Sequence, residues 1–348
     1  MHNALGIVDD PIFLEHRAFG PHPERPERLD AARNAVQHAD ITLPRRSLPP
    51  RDATLDELNR VHTSQYLELL QRAQGKSGHF DADTFYGPRS VGAALRAAGG
   101  AIELTRSLQA GDIAYGIALL RPPGHHARPH TAMGFCLVNN VAIAAAHARA
   151  AGAARVAIVD WDVHHGNGTQ EMFYDDPSVL FVSLHQYPFY PGTGAADEVG
   201  SGDGRGYTVN VPLSAGADDA VYSAACERLI APILNAYDPD LLLISAGYDA
   251  HRSDPLASMR LSEGGYARML RTLQSALPRG PEGRLGLVLE GGYDLEGLRS
   301  SVAATLEALG KVSSDPEPHA AFDDGAGPTH EHDLARARRA LAPYWKLP

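Results

Sequence analysis

At 348 residues the chain is long for one small domain, yet single α/β units reach this size, so length leaves one domain or two open. With 44% hydrophobic and 21% charged residues it has the balance of a globular chain that buries a sizeable core, which sets disorder aside. A formal charge of -11 disfavours a nucleic-acid backbone as partner, because such binding rests on clustered Lys and Arg; a cationic substrate suits it better.

Only two cysteines occur, Cys136 and Cys226, and neither belongs to a CxxC pair, so neither a disulfide framework nor a thiolate zinc site is encoded. No stretch approaches the ~20 apolar residues of a membrane helix. Residues 1–10 lack the basic and apolar regions of a signal peptide, so the cytoplasm is the expected compartment. Seventeen histidines, several beside aspartates or glycines, call for a search for metal or acid-base chemistry.

In chain order, short apolar runs predict strands at 5–8, 115–120, 154–160, 179–184, 207–211, 241–245 and 285–289. Helical periodicity predicts helices at 24–36, 63–73, 89–107, 139–151, 218–236, 262–276 and 295–309. Strand and helix alternate throughout with no Gly/Ser linker or repeat. The expected fold is therefore α/β: one domain of three α/β/α layers around a mostly parallel sheet, with the site in carboxyl-end loops. The domain is expected over 1–312. A Pro- and His-bearing surface excursion follows at 313–332, then a last helix at 333–344 packed on the same domain.

Directly after the strand at 115–120 comes Arg121-Pro122-Pro123-Gly124-His125-His126. Adjacent histidines point apart unless a bend turns both inward, and Pro-Pro-Gly supplies one; the pair reads as a general base with an electrostatic neighbour. Gly134-Phe135 and, later, Phe189-Tyr190-Pro191-Gly192 offer aromatic walls for an alkyl chain, with core packing as the competing account.

The strand at 154–160 runs into Asp160-Trp161-Asp162-Val163-His164-His165-Gly166-Asn167. Asp162 and His164 are two apart, so in extended backbone both reach one ion, and an oxygen with an imidazole nitrogen suits zinc. Asp160 and Asn167 are available as acceptors for the far nitrogen of a histidine base. After the strand at 241–245, Asp249 offers a third ligand from a separate strand, which leaves a fourth position to water as in catalytic zinc sites. Asp254 before Pro255 reads as a turn or cap residue that could also orient a ligand. The strand at 285–289 ends in Glu290-Gly291-Gly292-Tyr293, whose glycines allow a sharp turn presenting a phenol to a developing oxyanion.

These motifs, in this order, resemble the histone deacetylase and acetylpolyamine amidohydrolase superfamily, whose fold is similar to arginase. The match runs from His22-Pro23-Glu24-Arg25-Pro26-Glu27-Arg28 through 121–127, Gly134-Phe135, 160–168, Ser183-Leu184-His185 and Asp249 to 290–293, within residues 5–310. It implies zinc on Asp162, His164 and Asp249, with His126, oriented by Asn167, as general base and acid. His125, leaning on Asp160, is its electrostatic neighbour, and Tyr293 polarises the carbonyl. Gly134, Phe135, Tyr190, Leu256 and Gly291 fall along the substrate channel. A structural potassium is implied at Asp160, Asp162, His164, Ser183 and Leu184, and Arg28 resembles an arginine lining the cavity behind the metal. Asn167 and Glu290 resemble the class II branch.

The implied activity is hydrolysis of acetyl-lysine. Leu256, where the polyamine-specific vertebrate relative has glutamate, leans away from the alternative, an acetylpolyamine. Tyr190 departs from the phenylalanine common at its position. Arginase-like ureohydrolysis needs a second carboxylate-held metal and meets His165 instead. An idle acyl-lysine binding module is the remaining alternative, against which stands the presence of every expected catalytic group. Iron in place of zinc, and the oligomeric state, stay open.

Overall fold

The computed structural model describes residues 3–311 and 327–348. The seven expected strands form as β1 (Leu5–Val8), β5 (Tyr115–Ala118), β6 (Val156–Asp160), β7 (Val179–Gln186), β8 (Thr208–Leu213), β9 (Leu241–Ala246) and β10 (Leu285–Leu289). Between the first two lie β2 (Arg45–Ser47), β3 (Gly78–His79) and β4 (Phe85–Tyr86), too short and too polar to show as apolar runs. Eight strands make one sheet in the order β2-β1-β5-β10-β9-β6-β7-β8, with every neighbouring pair parallel. The remaining two, β3 and β4, form a small antiparallel ribbon.

Helices cover the sheet in two sets. Ser90–Gln109 and Asn140–Ala150 pack on each other and on β1, β5, β10, β6 and β9. Glu27–His38, Leu295–Ala308, Glu263–Ser275 and the 219–237 segment pack side by side as the second set. Hence the core strands are buried along their whole length, as in β6 and β9, and read as continuous apolar runs rather than alternating ones. Each fully buried Val, Leu or Ile contributes roughly 1.5–3 kcal/mol, which offsets chain entropy. This is the three-layer α/β/α single domain expected.

Local departures have local causes. The helix expected at 24–36 starts at Glu27, after Pro26, and runs to His38. The helix expected at 218–236 is capped by Asp218 but widens to a π turn at Cys226–Ile230. There Pro232 removes a backbone donor, and the Ala231 N–H reaches Cys226 O. The last helix is Pro328–Leu341 rather than 333–344, opened by a proline in its first turn. It lies along the edge strand β8, with Leu334, Ala337 and Leu341 in the main core. Most of the expected excursion, 313–326, lies outside the described residues.

The strand order decides where chemistry can occur. The motif-bearing loops follow β5, β10, β9 and β6, four consecutive neighbours at the centre of the sheet. Their carboxyl ends therefore open onto one crevice, although the loops are up to about 170 residues apart in sequence.

Candidate active site

Beyond β6 the chain bends at 162–164 rather than running on extended as expected, and the β9 loop brings Asp249 beside Asp162 and His164. Their ligand atoms lie within 4.8 Å of one another, and all three residues are buried. His164 Nδ1 is 3.2 Å from Asp162 Oδ1 and 3.1 Å from Asp249 Oδ2. Backbone N–H groups hold the carboxylates: Val163 donates to Asp249 Oδ1 at 2.8 Å, and Gly291 to Asp162 Oδ2 at 2.8 Å. A Cβ on Gly291 would overlap oxygens of both carboxylates, so the β10 turn approaches this closely only because it is glycine.

Burial opposes a charged imidazole at His164, yet its bonds to Asp162 and Asp249 outweigh that and raise its pKa to about 10. The pocket thus demands positive charge amid one nitrogen and two carboxylate donors. That donor set fits a tetrahedral zinc with one position left open. Among the described residues it is the one His/Cys/Asp/Glu group with metal-binding spacing.

The Pro-Pro-Gly bend after β5 turns both histidines into the crevice, with ring centroids 4.0 Å apart. His125 Nδ1 lies 2.9 Å from Asp160 Oδ2, and His126 Nδ1 lies 2.8 Å from Asn167 Oδ1. Asn167 is oriented by its amide, which donates to Met133 Sδ at 3.3 Å. Burial works against an imidazolium at His125, but Asp162 and Asp160 hold its pKa well above the ordinary value. For His126, burial and then the charges of His125 and His164 hold it well below. With Nδ1–H engaged by the amide oxygen, His126 Nε2 is left as a free acceptor.

Aromatic rings line the approach. Phe135 and Tyr293 meet edge to face at 5.9 Å between centroids, and Tyr190 stands edge-on to His126 at 5.2 Å. Phe189 stacks on His164 at 5.6 Å, a contact the sequence placed only loosely. Gly134 is in the left-handed region, and a Cβ there would overlap the His126 ring. Gly291 lies against the carboxylates, while Leu256 is partly buried in the β9 loop. Ser183 stands opposite Asp160 in the β6–β7 register, and Leu184 follows it. Burial raises the Tyr293 phenol well above its ordinary pKa, so it is a neutral donor.

Sequence reasoning placed Arg28 behind the metal and read Glu290 as a branch marker, but it did not foresee that these buried groups, with Glu24, hold the loops. Glu290 Oε2 accepts from the Gly124 and His125 N–H groups at 2.6 and 3.2 Å, and its Oε1 accepts from Ser245 Oγ at 2.9 Å. Glu24 accepts from Arg121 at 2.6 Å through both oxygens and from Arg28 at 3.1 Å. Arg28 in turn donates to Gly292 O at 2.6 Å and to Glu290 O, and lies 4.8 Å from the Tyr293 ring centroid. The i,i+4 spacing of Glu24 and Arg28 was the available signal; their partners across the fold were not.

A model of the histone deacetylase domain matches residues 22–309, which takes in all of these loops. The chain belongs to the histone deacetylase family. Within the family it is 46% identical to histone deacetylase 15 of Arabidopsis thaliana over 90% of its length, and 40% identical to human polyamine deacetylase HDAC10 over 93%. It spans only 58% and 49% of those two proteins. A probable deacetylase of Archaeoglobus fulgidus matches at 38% over 98% of both chains. The crystal structure of the HDA15 HD domain superposes with a TM-score of 0.89, at 38% identity, over 99% of this chain and 96% of that one.

Proposed function

We propose that this family member is a zinc-dependent hydrolase that removes the acetyl group from an acetylated lysine side chain. The observation that carries the reading is that one crevice collects a three-donor cation pocket, a histidine with a free Nε2 and low proton affinity, and a neutral phenol. Asp162, His164 and Asp249 would hold the zinc, which when bound would supply Lewis acidity toward the amide carbonyl and a water. His126 Nε2 takes the proton of that water and returns it to the departing amine. Tyr293 donates to the carbonyl oxygen as negative charge builds there. His125, kept cationic by Asp162 and Asp160, lends positive charge beside it.

The reading extends to a structural potassium near Asp160, Asp162, His164, Ser183 and Leu184, supported by the pairing of Asp160 with Ser183. The two free buried cysteines fit a reducing compartment, the cytoplasm. No helix among the described residues is long and apolar enough to cross a membrane.

The second reading is an acetylated polyamine, favoured by the human relative's named activity; Leu256 favours the first. The test is one preparation with its metal content measured, assayed on acetyl-lysine peptides, longer acyl-lysines and acetylated polyamines. The acetyl-lysine peptide is expected to give the highest kcat/KM. A polyamine leading the panel selects the second reading, and no turnover by the metal-loaded chain leaves an acyl-lysine binding module.

A further inference from the structure

Asp254 is buried in the β9 loop and takes no part in the chemistry above. Its Oδ2 accepts from the backbone N–H of Tyr293 at 2.6 Å and of Asp294 at 3.2 Å, while its Oδ1 accepts from Leu256 N–H at 2.9 Å. One carboxylate thereby joins the loop that carries a channel residue to the turn that carries the phenol.

Hydrogen bonds set the shape of that turn, one of them from Tyr248 N–H to Gly291 O at 3.1 Å. Gly291 and Gly292 have no side chains, and Gly292 takes φ 117°, so hydrogen bonds decide its course. Its start is pinned by Gly291 N–H on Asp162, and its carbonyls by Arg28. At its far end, the bond found for the Tyr293 amide is the one to Asp254. Asp294 beyond it caps the helix Leu295–Ala308 through Gly297 N–H at 2.7 Å, so the helix start keeps its own anchor without Asp254.

We propose that Asp254 is a positioning residue for Tyr293: it fixes how the phenol is presented to the Asp162, His164, Asp249 triad, and so acts on turnover rather than on substrate binding. The inference rests on the reading of Tyr293 as the donor to the substrate carbonyl. A displacement of about 1 Å in a catalytic group costs up to about 10²-fold in rate, which bounds the effect.

The test is a double-mutant cycle on the zinc-loaded full chain, with kcat, KM and bound zinc measured for each variant. Asp254→Ala is expected to lose roughly 10- to 100-fold in kcat with KM within about 3-fold. In the Tyr293→Phe background the same change should cost under about 3-fold, because the group it positions is gone. Asp254→Asn, which keeps an accepting oxygen, should recover part of the loss. Full kcat in Asp254→Ala, an equal loss in both backgrounds, or zinc lost from both Asp254 variants would each overturn the proposal. If Tyr293→Phe itself keeps full activity, the reading of the phenol has failed and this inference with it. If Tyr293→Phe is crippled while Asp254→Ala is not, only the inference has failed.

Discussion

His125 and His126 differ in what their Nδ1 atoms meet, a carboxylate for one and an amide oxygen for the other. Asp160 and Asp162 keep a proton on His125, while His126, facing that charge, gives its proton up readily. The pairing makes His126 the group able to take a proton, and His126→Ala should lower kcat by about 10²–10⁴-fold with zinc still bound. Unaltered turnover in that variant would remove His126 from the mechanism. If Tyr293 is the proposed donor to the oxyanion, Tyr293→Phe should cost about 10²–10³-fold in kcat with metal content unchanged. Asp249→Ala is different in kind: it removes a proposed ligand, so dialysed protein should come out depleted of zinc, and full metal content after dialysis would count against the triad.

The loops act as units because buried carboxylates tie their backbones. Glu290, at the end of β10, holds the β5 loop through Gly124 and His125 and reaches Ser245 on β9. Glu290→Ala leaves three buried donors without an acceptor, at about 1–3 kcal/mol each. Chemical denaturation should show a loss of about 3 kcal/mol or more, and a variant as stable as the parent would show that the carboxylate is dispensable. Such ties were not legible in the sequence. A glutamate before Gly-Gly looks like any strand-end residue until the sheet order sets β5 beside β10. The four chemical motifs were legible as residue sets, because each sits whole within one short loop after one apolar run; the i,i+2 argument for Asp162 and His164 assumed extended backbone, and the chain bends there instead.

At the scale of the whole molecule, buried histidines make stability depend on pH. Burial lowers His16 to about 3 and His62 to about 4, so both are neutral when folded and charge at about 6.5 when unfolded. At these two positions the unfolded chain binds more protons, so their contribution to stability is lost as pH drops below about 6.5 toward 4, by up to roughly 3 kcal/mol per pH unit for the pair. His62 accepts from Asn139 N–H at 3.0 Å and lies 3.1 Å from Arg128 O, an arrangement that requires the neutral ring. Unfolding free energies measured from pH 7 to 5 for parent and His62→Gln should differ in slope by about one proton, the variant losing less stability as pH falls. Parallel profiles for parent and variant would refute it.

Sequence by itself determined the strands, most helices and which loops carry candidate chemical residues, since those depend on periodicity and neighbours within a few residues. The helix ends at Pro26 and Pro328 and the π turn before Pro232 were local too, but proline's missing donor acts at single-residue precision, which periodicity does not resolve. Only the tertiary structure decided that β5, β10, β9 and β6 lie side by side, and hence that Asp249, His126, Tyr293 and Asp162 share one crevice. Register between distant strands is chosen by packing of the whole sheet, and no short-range pattern carries that information.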